Sequence, residues 1–164
     1  MRRPVVGVMG GASAAGEALA EAERLGFLIA QHGWILLNGG RNTGVMAASA
    51  AGAKRGGGLV VGVLPDSSAE QAASDIDIAV VTGMGDARNV INILSSDVVI
   101  ACTGGAGTLS EIALAAKNGK RVILLGMEAG PALASFSRTG QVTRAADADD
   151  AVEQAAAVLA ESRG

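Results

Sequence analysis

Short apolar runs rich in β-branched residues alternate with longer amphipathic stretches along this chain. The short runs are apolar throughout, as strands are when both faces of a parallel sheet are covered, and the longer stretches have apolar residues at helical spacing. The pattern predicts strands at 5–9, 34–37, 59–64, 78–81, 98–102 and 121–125, and a short edge strand at 142–144. It predicts a first helix that ends at about 31, with Ser13 as its candidate N-cap, and further helices at 45–55, 86–95, 108–117 and from Asp147 or Asp149 to about 161. Residues 126–140 are predicted to be mostly irregular.

This alternation predicts a single-domain, Rossmann-like α/β fold over residues 1–164, a doubly wound and mainly parallel sheet with helices on both faces. The 164 residues are enough to bury a substantial core. Nearly half of them are apolar, but only two are Phe, one is Trp and none is Tyr. Val, Ile, Leu and Ala must therefore fill the core.

Charge and composition exclude several classes of function. A net charge of −3 without a strong basic block argues against a general nucleic-acid binder. No apolar segment is long enough for a membrane span or a signal peptide, so we expect a cytoplasmic protein. The single Cys102 excludes an intrachain disulfide, and with the lone His32 it leaves no zinc-binding pattern, so no metal site is expected.

Four glycine-containing loops each follow a predicted strand: Gly10-Gly11, Gly39-Gly40, Gly83-Met84-Gly85 and Gly104-Gly105-Ala106-Gly107. Ligands of parallel sheets bind above the carboxyl ends of the strands, so these loops should meet at one edge. The last loop leads into a helix near Thr108, where backbone amides could bind a phosphate. The alternative is a tight structural turn with Thr108 as the helix N-cap.

Two arginines and one acid are the candidate charged groups of this edge. Arg41 follows Gly39-Gly40 directly, Arg88 lies at the start of a predicted helix, and Glu111 lies one turn into the helix after the last loop. An arginine at a helix N-terminus is unfavourable unless it faces an anion or a carboxylate such as Glu111. The alternative for both arginines is a solvated surface position. Asp86 is expected to cap its helix, and a role in the site is the alternative.

Neither NAD nor ATP is expected as a ligand. The loop at Gly10-Gly11 lacks the full glycine spacing of a dinucleotide site, and the second strand ends in Asn38 rather than in an acid that could hold a ribose. No Gly-Lys-Ser/Thr pattern of a nucleoside-triphosphate loop is present.

The loops together resemble a superfamily once mislabelled as lysine decarboxylases, which includes the lonely-guy phosphoribohydrolases. The matching segments are 39–46 (Gly-Gly-Arg-Asn-Thr-Gly-Val-Met), 83–89 (Gly-Met-Gly-Asp-Ala-Arg-Asn) and 104–111 (Gly-Gly-Ala-Gly-Thr-Leu-Ser-Glu). The short chain is most similar to molybdenum cofactor carrier proteins, and the segments 33–37, 62–65, 81–83 and 94–96 strengthen that resemblance. The resemblance covers about residues 4–126.

In the hydrolases of this superfamily, the residues that match Arg88 and Glu111 are the catalytic pair and the glycine loop holds the 5′-phosphate. This chain has Thr103 where a proline is expected and Asn89 where a lysine is common. These departures put hydrolase activity, more than ligand binding, in doubt.

The resemblance therefore implies a protein that binds and carries molybdenum cofactor without catalysis. Its alternative is a nucleoside 5′-monophosphate phosphoribohydrolase that releases a free base and ribose 5-phosphate. The resemblance also implies a homo-oligomer, a dimer or tetramer. The expected ligand is a phosphate-bearing small molecule, and molybdoenzymes would be the recipients of a carried cofactor.

Overall fold

A single seven-stranded sheet, parallel throughout, runs through the computed structural model, which describes residues 2–128 and 130–162. The strand order is β4-β3-β2-β1-β5-β6-β7. The strands are β1 (Val5–Met9), β2 (Ile35–Asn38), β3 (Leu59–Leu64), β4 (Ile78–Val81), β5 (Val98–Cys102), β6 (Val122–Leu125) and β7 (Val142–Ala145). The predicted Rossmann-like α/β fold is confirmed.

The helices cover both faces of this sheet. They are α1 (Glu17–Gln31), α2 (Gly44–Arg55), α3 (Asn89–Ser95), α4 (Ala106–Lys117), α5 (Ala134–Arg138) and α6 (Ala148–Glu161), with 3-10 turns at Gly85–Arg88 and Pro131–Leu133. Side chains of α1, α2 and α6 share one core with Ile100 of strand β5. Side chains of α3 and α4 share the other core with its neighbours Val99 and Ala101. The apolar runs are therefore strands buried on both faces, because alternate side chains enter opposite cores.

Two glycines let α1 and α2 lie in close contact. A Cβ on Gly52 would lie 1.9 Å from the Glu23 carbonyl oxygen, and a Cβ on Gly26 would lie 2.0 Å from the Ser49 carbonyl oxygen. Only glycine fits such a backbone approach. The contact fixes where α2 begins, and the Val45 amide there donates to the Gly11 carbonyl at 3.1 Å. Helix packing thus anchors the loop that follows β1.

Three details of the predicted elements are settled by the structure. Asp147 caps α6, as predicted, and its side chain accepts a hydrogen bond from the Asp150 amide at 2.9 Å. The predicted cap at Ser13 is wrong, because α1 begins at Glu17 after Gly16. The prediction that 126–140 is mostly irregular is also wrong for the part from 131 to 138, where the short helical segments place Leu133 in the core and Phe136 against it.

None of the helices in the described ranges is long and apolar enough to cross a membrane.

Candidate functional site

Strands β1 and β5 are neighbours in the sheet, and the strand order changes side between them. Strands β1 to β4 extend to one side, and β5 to β7 extend to the other side. At this switch point the loops after β1 and β5 separate and leave a crevice above the strand ends. The Gly11 amide donates to the Thr103 carbonyl at 3.0 Å and ties the two loops together at the base of the crevice.

The crevice holds a cavity of about 340 Å³, which we call the site cavity. Its walls come from the end of β1, the loops after β1, β2 and β5, the 3-10 turn before α3, and the first turns of α2 and α4. The lining residues are Val8, Met9, Gly10, Gly11, Ala12, Ser13, Gly39, Met46, Asp86, Arg88, Asn89, Gly105, Gly107, Thr108 and Glu111.

One wall of the site cavity is the start of α4, where the backbone amides of residues 104–108 make no hydrogen bond with any described residue. No side chain caps this helix end. The close loop contact requires Gly104, because a Cβ there would lie 2.1 Å from Thr108 Oγ1 and 2.9 Å from the Gly11 nitrogen. Unpaired first-turn amides and the positive end of the helix dipole make this wall suitable for an anion.

Arg88 enters the site cavity from the 3-10 turn and is held by backbone oxygens. Its Nη1 donates to the carbonyls of Gly39, at 2.6 Å, and Val63, and its Nε donates to Asn89 Oδ1 at 3.0 Å. Its Nη2 donates no hydrogen bond to any described residue. Burial lowers the pKa of Arg88 below its ordinary value, and the negative charge of Glu111 acts in the opposite direction. The guanidinium remains charged and keeps one nitrogen available for a ligand.

Glu111 is a buried acid on the same cavity wall, with 8% of its surface exposed. Asn92 Nδ2 donates to Glu111 Oε1 at 3.4 Å, a long hydrogen bond, and no ion pair to Glu111 exists among the described residues. Burial raises the pKa of Glu111 to about 7, although the Asn92 hydrogen bond and the charge of Arg88 lower it. The expected pairing of Arg88 with Glu111 is therefore a through-space interaction and not a salt bridge.

A family model for the SLOG cluster4 family matches residues 3–152 of this chain. The chain belongs to the SLOG cluster4 family. Among solved structures, the molybdenum cofactor binding protein of Rippkaea orientalis is 47% identical, with a TM-score of 0.91 over 97% of this chain and 99% of that one. The molybdenum cofactor carrier protein of Chlamydomonas reinhardtii is 44% identical, with a TM-score of 0.89 over the same shares of the two chains.

This SLOG cluster4 chain is also similar to a cytokinin riboside 5′-monophosphate phosphoribohydrolase of Mycobacterium tuberculosis, with 39% identity over 98 residues. The match covers 58% of this chain and 52% of the hydrolase, so the chain aligns with about half the length of that relative. The resemblance to carrier proteins within the lonely-guy superfamily is confirmed by these similarities.

The structure brings most of the predicted site residues of this SLOG cluster4 chain together. Gly10, Gly11, Gly39, Arg88, Gly105, Gly107, Thr108 and Glu111 line the site cavity, and Gly104 and Ala106 belong to the same loop and helix start. Gly40, Arg41 and Gly83 do not line it. Arg41 instead forms an exposed salt bridge with Asp66, Nη2 to Oδ1 at 2.7 Å, and this partner lowers the pKa of Asp66.

Several lining residues have a different role from the one the sequence suggested. Asp86 and Ser13 were expected to cap helices, but both line the cavity and neither caps a helix by its side chain. Met9 and Met46 line it, whereas Met84 is exposed. Asn92 donates a hydrogen bond to Glu111. Its spacing of three residues from Asn89 places both side chains on the buried side of α3, and this spacing is the feature of the sequence that points to Asn92.

Proposed function

We propose that this protein binds molybdenum cofactor in the site cavity and carries it without converting it. The supporting observation is the set of unpaired amides at residues 104–108 beside the open nitrogen of Arg88, in a chain whose likeness to cofactor-binding proteins extends over 97% of its length. Such a wall offers several convergent donors to a terminal phosphate.

The remaining walls suit the rest of a pterin. The thioether side chains of Met9 and Met46 offer a soft, polarizable surface for a flat ring. The dithiolene sulfurs of the cofactor already hold its metal, so the protein needs to supply only phosphate donors, a ring surface and shelter. We assign the phosphate to the α4 start with Thr108, whose hydroxyl makes no hydrogen bond with a described residue.

The proposal is tested by incubating the purified protein with molybdenum cofactor and separating bound from free ligand. Retained cofactor is measured as pterin fluorescence after oxidative release and as molybdenum by mass spectrometry. We expect about one pterin per chain. Retention no higher than that of an unrelated Rossmann-like protein would overturn the proposal.

The second candidate is a nucleoside 5′-monophosphate phosphoribohydrolase, which the meeting of Arg88 and Glu111 in one cavity favours. Cleavage of an N-glycosidic bond builds positive charge on the ribose, and the Glu111 carboxylate could stabilise it. Incubation with AMP distinguishes the two functions. Release of free adenine and ribose 5-phosphate by wild type, with no release by Glu111→Ala, would establish the hydrolase.

We also propose a homo-oligomer. Leu94 on α3 and Leu109 on α4 are about half exposed, at 53% and 49%, and Val90 on α3 is exposed at 40%. Adjacent exposed apolar side chains on two packed helices are typical of a surface that a second copy covers. Ile112, Ala115 and Ala116 of α4 face the core instead. Native mass spectrometry measures the number of chains in the assembly.

The cytoplasmic location and the molybdoenzyme recipients remain predictions.

A further inference from the structure

The site cavity places an acid directly beside the wall that suits an anion. Glu111 lies four residues beyond Gly107 and three beyond Thr108, and all three residues line the cavity. Residues at these spacings share one face of a helix, and a helical side chain leans back towards the N-terminus. The carboxyl group of Glu111 therefore lies within about one helical turn, roughly 5 Å, of the first-turn amides of α4. An anion bound to these amides would also lie next to this carboxyl group.

Glu111 has one carboxyl oxygen left for such a contact. Its Oε1 accepts a long hydrogen bond from Asn92 Nδ2 at 3.4 Å. Its Oε2 makes no hydrogen bond with any described residue and stays accessible from the cavity. Arg88 does not pair with it, since the Arg88 Nη1 donates to backbone carbonyls. Asn92 thus holds one oxygen of the carboxyl group, and the other remains for a ligand.

The protonation state of this acid decides whether the contact is favourable. An ionised carboxylate has only acceptor oxygens and repels an anion, whereas a protonated carboxyl group has one O–H donor. The other charged groups among the described residues that line the cavity are Arg88 and Asp86 on the 3-10 turn, and their charges have opposite signs. The lining side chains of β1, α2 and α3, and Asn92 behind them, are uncharged. A protonated Glu111 would therefore add a donor to the anion wall.

Burial favours the protonated form of Glu111. It raises the pKa of Glu111 to about 7, although the Asn92 hydrogen bond and the charge of Arg88 lower this pKa, and the negative charge of Asp86 adds to the rise. The group therefore exchanges its proton near neutral pH. A bound anion would raise the pKa further, because it disfavours the ionised form.

We propose that Glu111 binds the oxyanion as a carboxylic acid, with its Oε2–H donating to an anion oxygen at the start of α4. The ionised group takes this proton from solvent as the anion enters, and it returns the proton when the anion leaves. The inference rests on the proposed function and adds the protonation state of one of its contacts. It follows that the site holds a fully ionised oxyanion more tightly at low pH, and that rising pH favours release.

Sulfate labelled with sulfur-35 is the probe, because sulfate stays fully ionised throughout the pH range tested. Equilibrium dialysis compares binding at pH 6 with binding at pH 8.5. We expect wild type to bind sulfate roughly thirtyfold more tightly at pH 6, since only the protonated fraction of Glu111 accepts the anion. Calorimetry at pH 8, in buffers of different ionisation enthalpy, should measure the uptake of about one proton per sulfate.

Two substitutions distinguish a hydrogen-bond donor from a mere loss of charge. Glu111→Gln keeps an N–H donor, so its affinity for sulfate should change less than about threefold between the two pH values. Glu111→Met has neither charge nor donor, and it should bind sulfate at least about tenfold more weakly than Glu111→Gln at either pH. Glu153→Gln makes the same change at an exposed position of α6 and should keep the pH dependence of wild type.

Equal affinity of wild type for sulfate at both pH values, no measurable sulfate binding at pH 6, or equal binding by Glu111→Gln and Glu111→Met would overturn the inference. The pH comparison and the proton count on wild type decide the matter even if neither variant folds. Retention of molybdenum cofactor by wild type at pH 6 separates the two proposals. Retention without pH-dependent sulfate binding leaves the carrier and removes the acid contact, whereas pH-dependent sulfate binding without retention removes the carrier.

Discussion

Two cavities of the same volume, about 340 Å³ each, lie at the carboxyl edge of the sheet. The site cavity lies at the switch point, over the ends of β1 and β2 and against the loop and helix start that follow β5. The second, which we call the acidic cavity, lies over the ends of β5, β6 and β7 and is lined by Glu17, Ala18, Glu21, Cys102, Thr103, Leu125, Gly126, Ala146 and Asp147. Both contain acids and glycine, so residue types alone do not distinguish them.

The cavities differ in how many of their polar groups already have partners. In the acidic cavity, Glu21 Oε2 accepts from the Ala148 amide at 2.6 Å, Asp147 caps α6, and Thr103 Oγ1 donates to the Gly126 carbonyl at 2.9 Å. Burial raises the pKa of Cys102 to about 12, so its thiol stays protonated. In the site cavity, no described residue accepts a hydrogen bond from the amides of residues 104–108. A binding site is recognised here by polar groups that the fold leaves unsatisfied.

The largest expected effect concerns the unpaired acid. Because burial raises the pKa of Glu111 from 4.5 to about 7, the folded protein holds a proton that the unfolded chain has released between these values. The free energy of unfolding of wild type, relative to Glu111→Gln, should therefore fall by about 3 kcal/mol as pH rises through this window, and stay level above it. Urea titrations of both proteins from pH 4 to 8 measure this difference. If the difference in the free energy of unfolding did not depend on pH, the pKa of Glu111 would not be raised by burial, and the prediction would be wrong.

The next effect concerns Arg88. Arg88→Ala removes the open Nη2 nitrogen and the charge that faces the proposed phosphate, so retention of molybdenum cofactor should fall roughly tenfold to hundredfold. Its matched control is Arg24→Ala, since Arg24 pairs with Asp149 on the surface. Equilibrium dialysis measures retention in both variants. Unchanged affinity in Arg88→Ala would remove this arginine from the site.

A smaller effect is expected at Gly107, where a Cβ would meet no atom within 4 Å and would enter open space at the cavity wall. Gly107→Ala should weaken retention by about tenfold through loss of close approach to the amides. It should leave the melting temperature unchanged or raise it, because alanine favours the helix. Thermal melting and dialysis on one sample separate the two effects. Full retention would show that the ligand does not approach this turn.

The smallest effects are expected in the acidic cavity. Glu21→Ala should cost about 1 kcal/mol of stability, because the Ala148 amide at the start of α6 loses its acceptor. Retention of molybdenum cofactor should stay within about twofold of wild type. Denaturant unfolding and dialysis measure the two quantities. Strong loss of retention in this stable variant would mean that the acidic cavity, too, belongs to the ligand site.

The fold was predictable because strands buried on both faces are recognisable as uninterrupted apolar runs. The glycine loops were also predictable, and most of their residues do line one cavity. The helix start at Ala106 was placed two residues too late, although those residues supply amides of the anion wall. The short helix at 134–138 was missed because its stability comes from packing Phe136 and Leu133 against the sheet rather than from its own sequence.

The sequence by itself determined the alternation of elements, the side of the sheet on which its loops collect, and the residue types available there. The tertiary structure decided which of these groups remain without partners. Arg41 and Arg88 both follow glycines, but Arg41 pairs with Asp66, whereas Arg88 binds carbonyls 49 and 25 residues away and keeps one nitrogen open. Partners so distant in the chain are brought together only by the order of strands in the sheet, and local pattern does not encode that order.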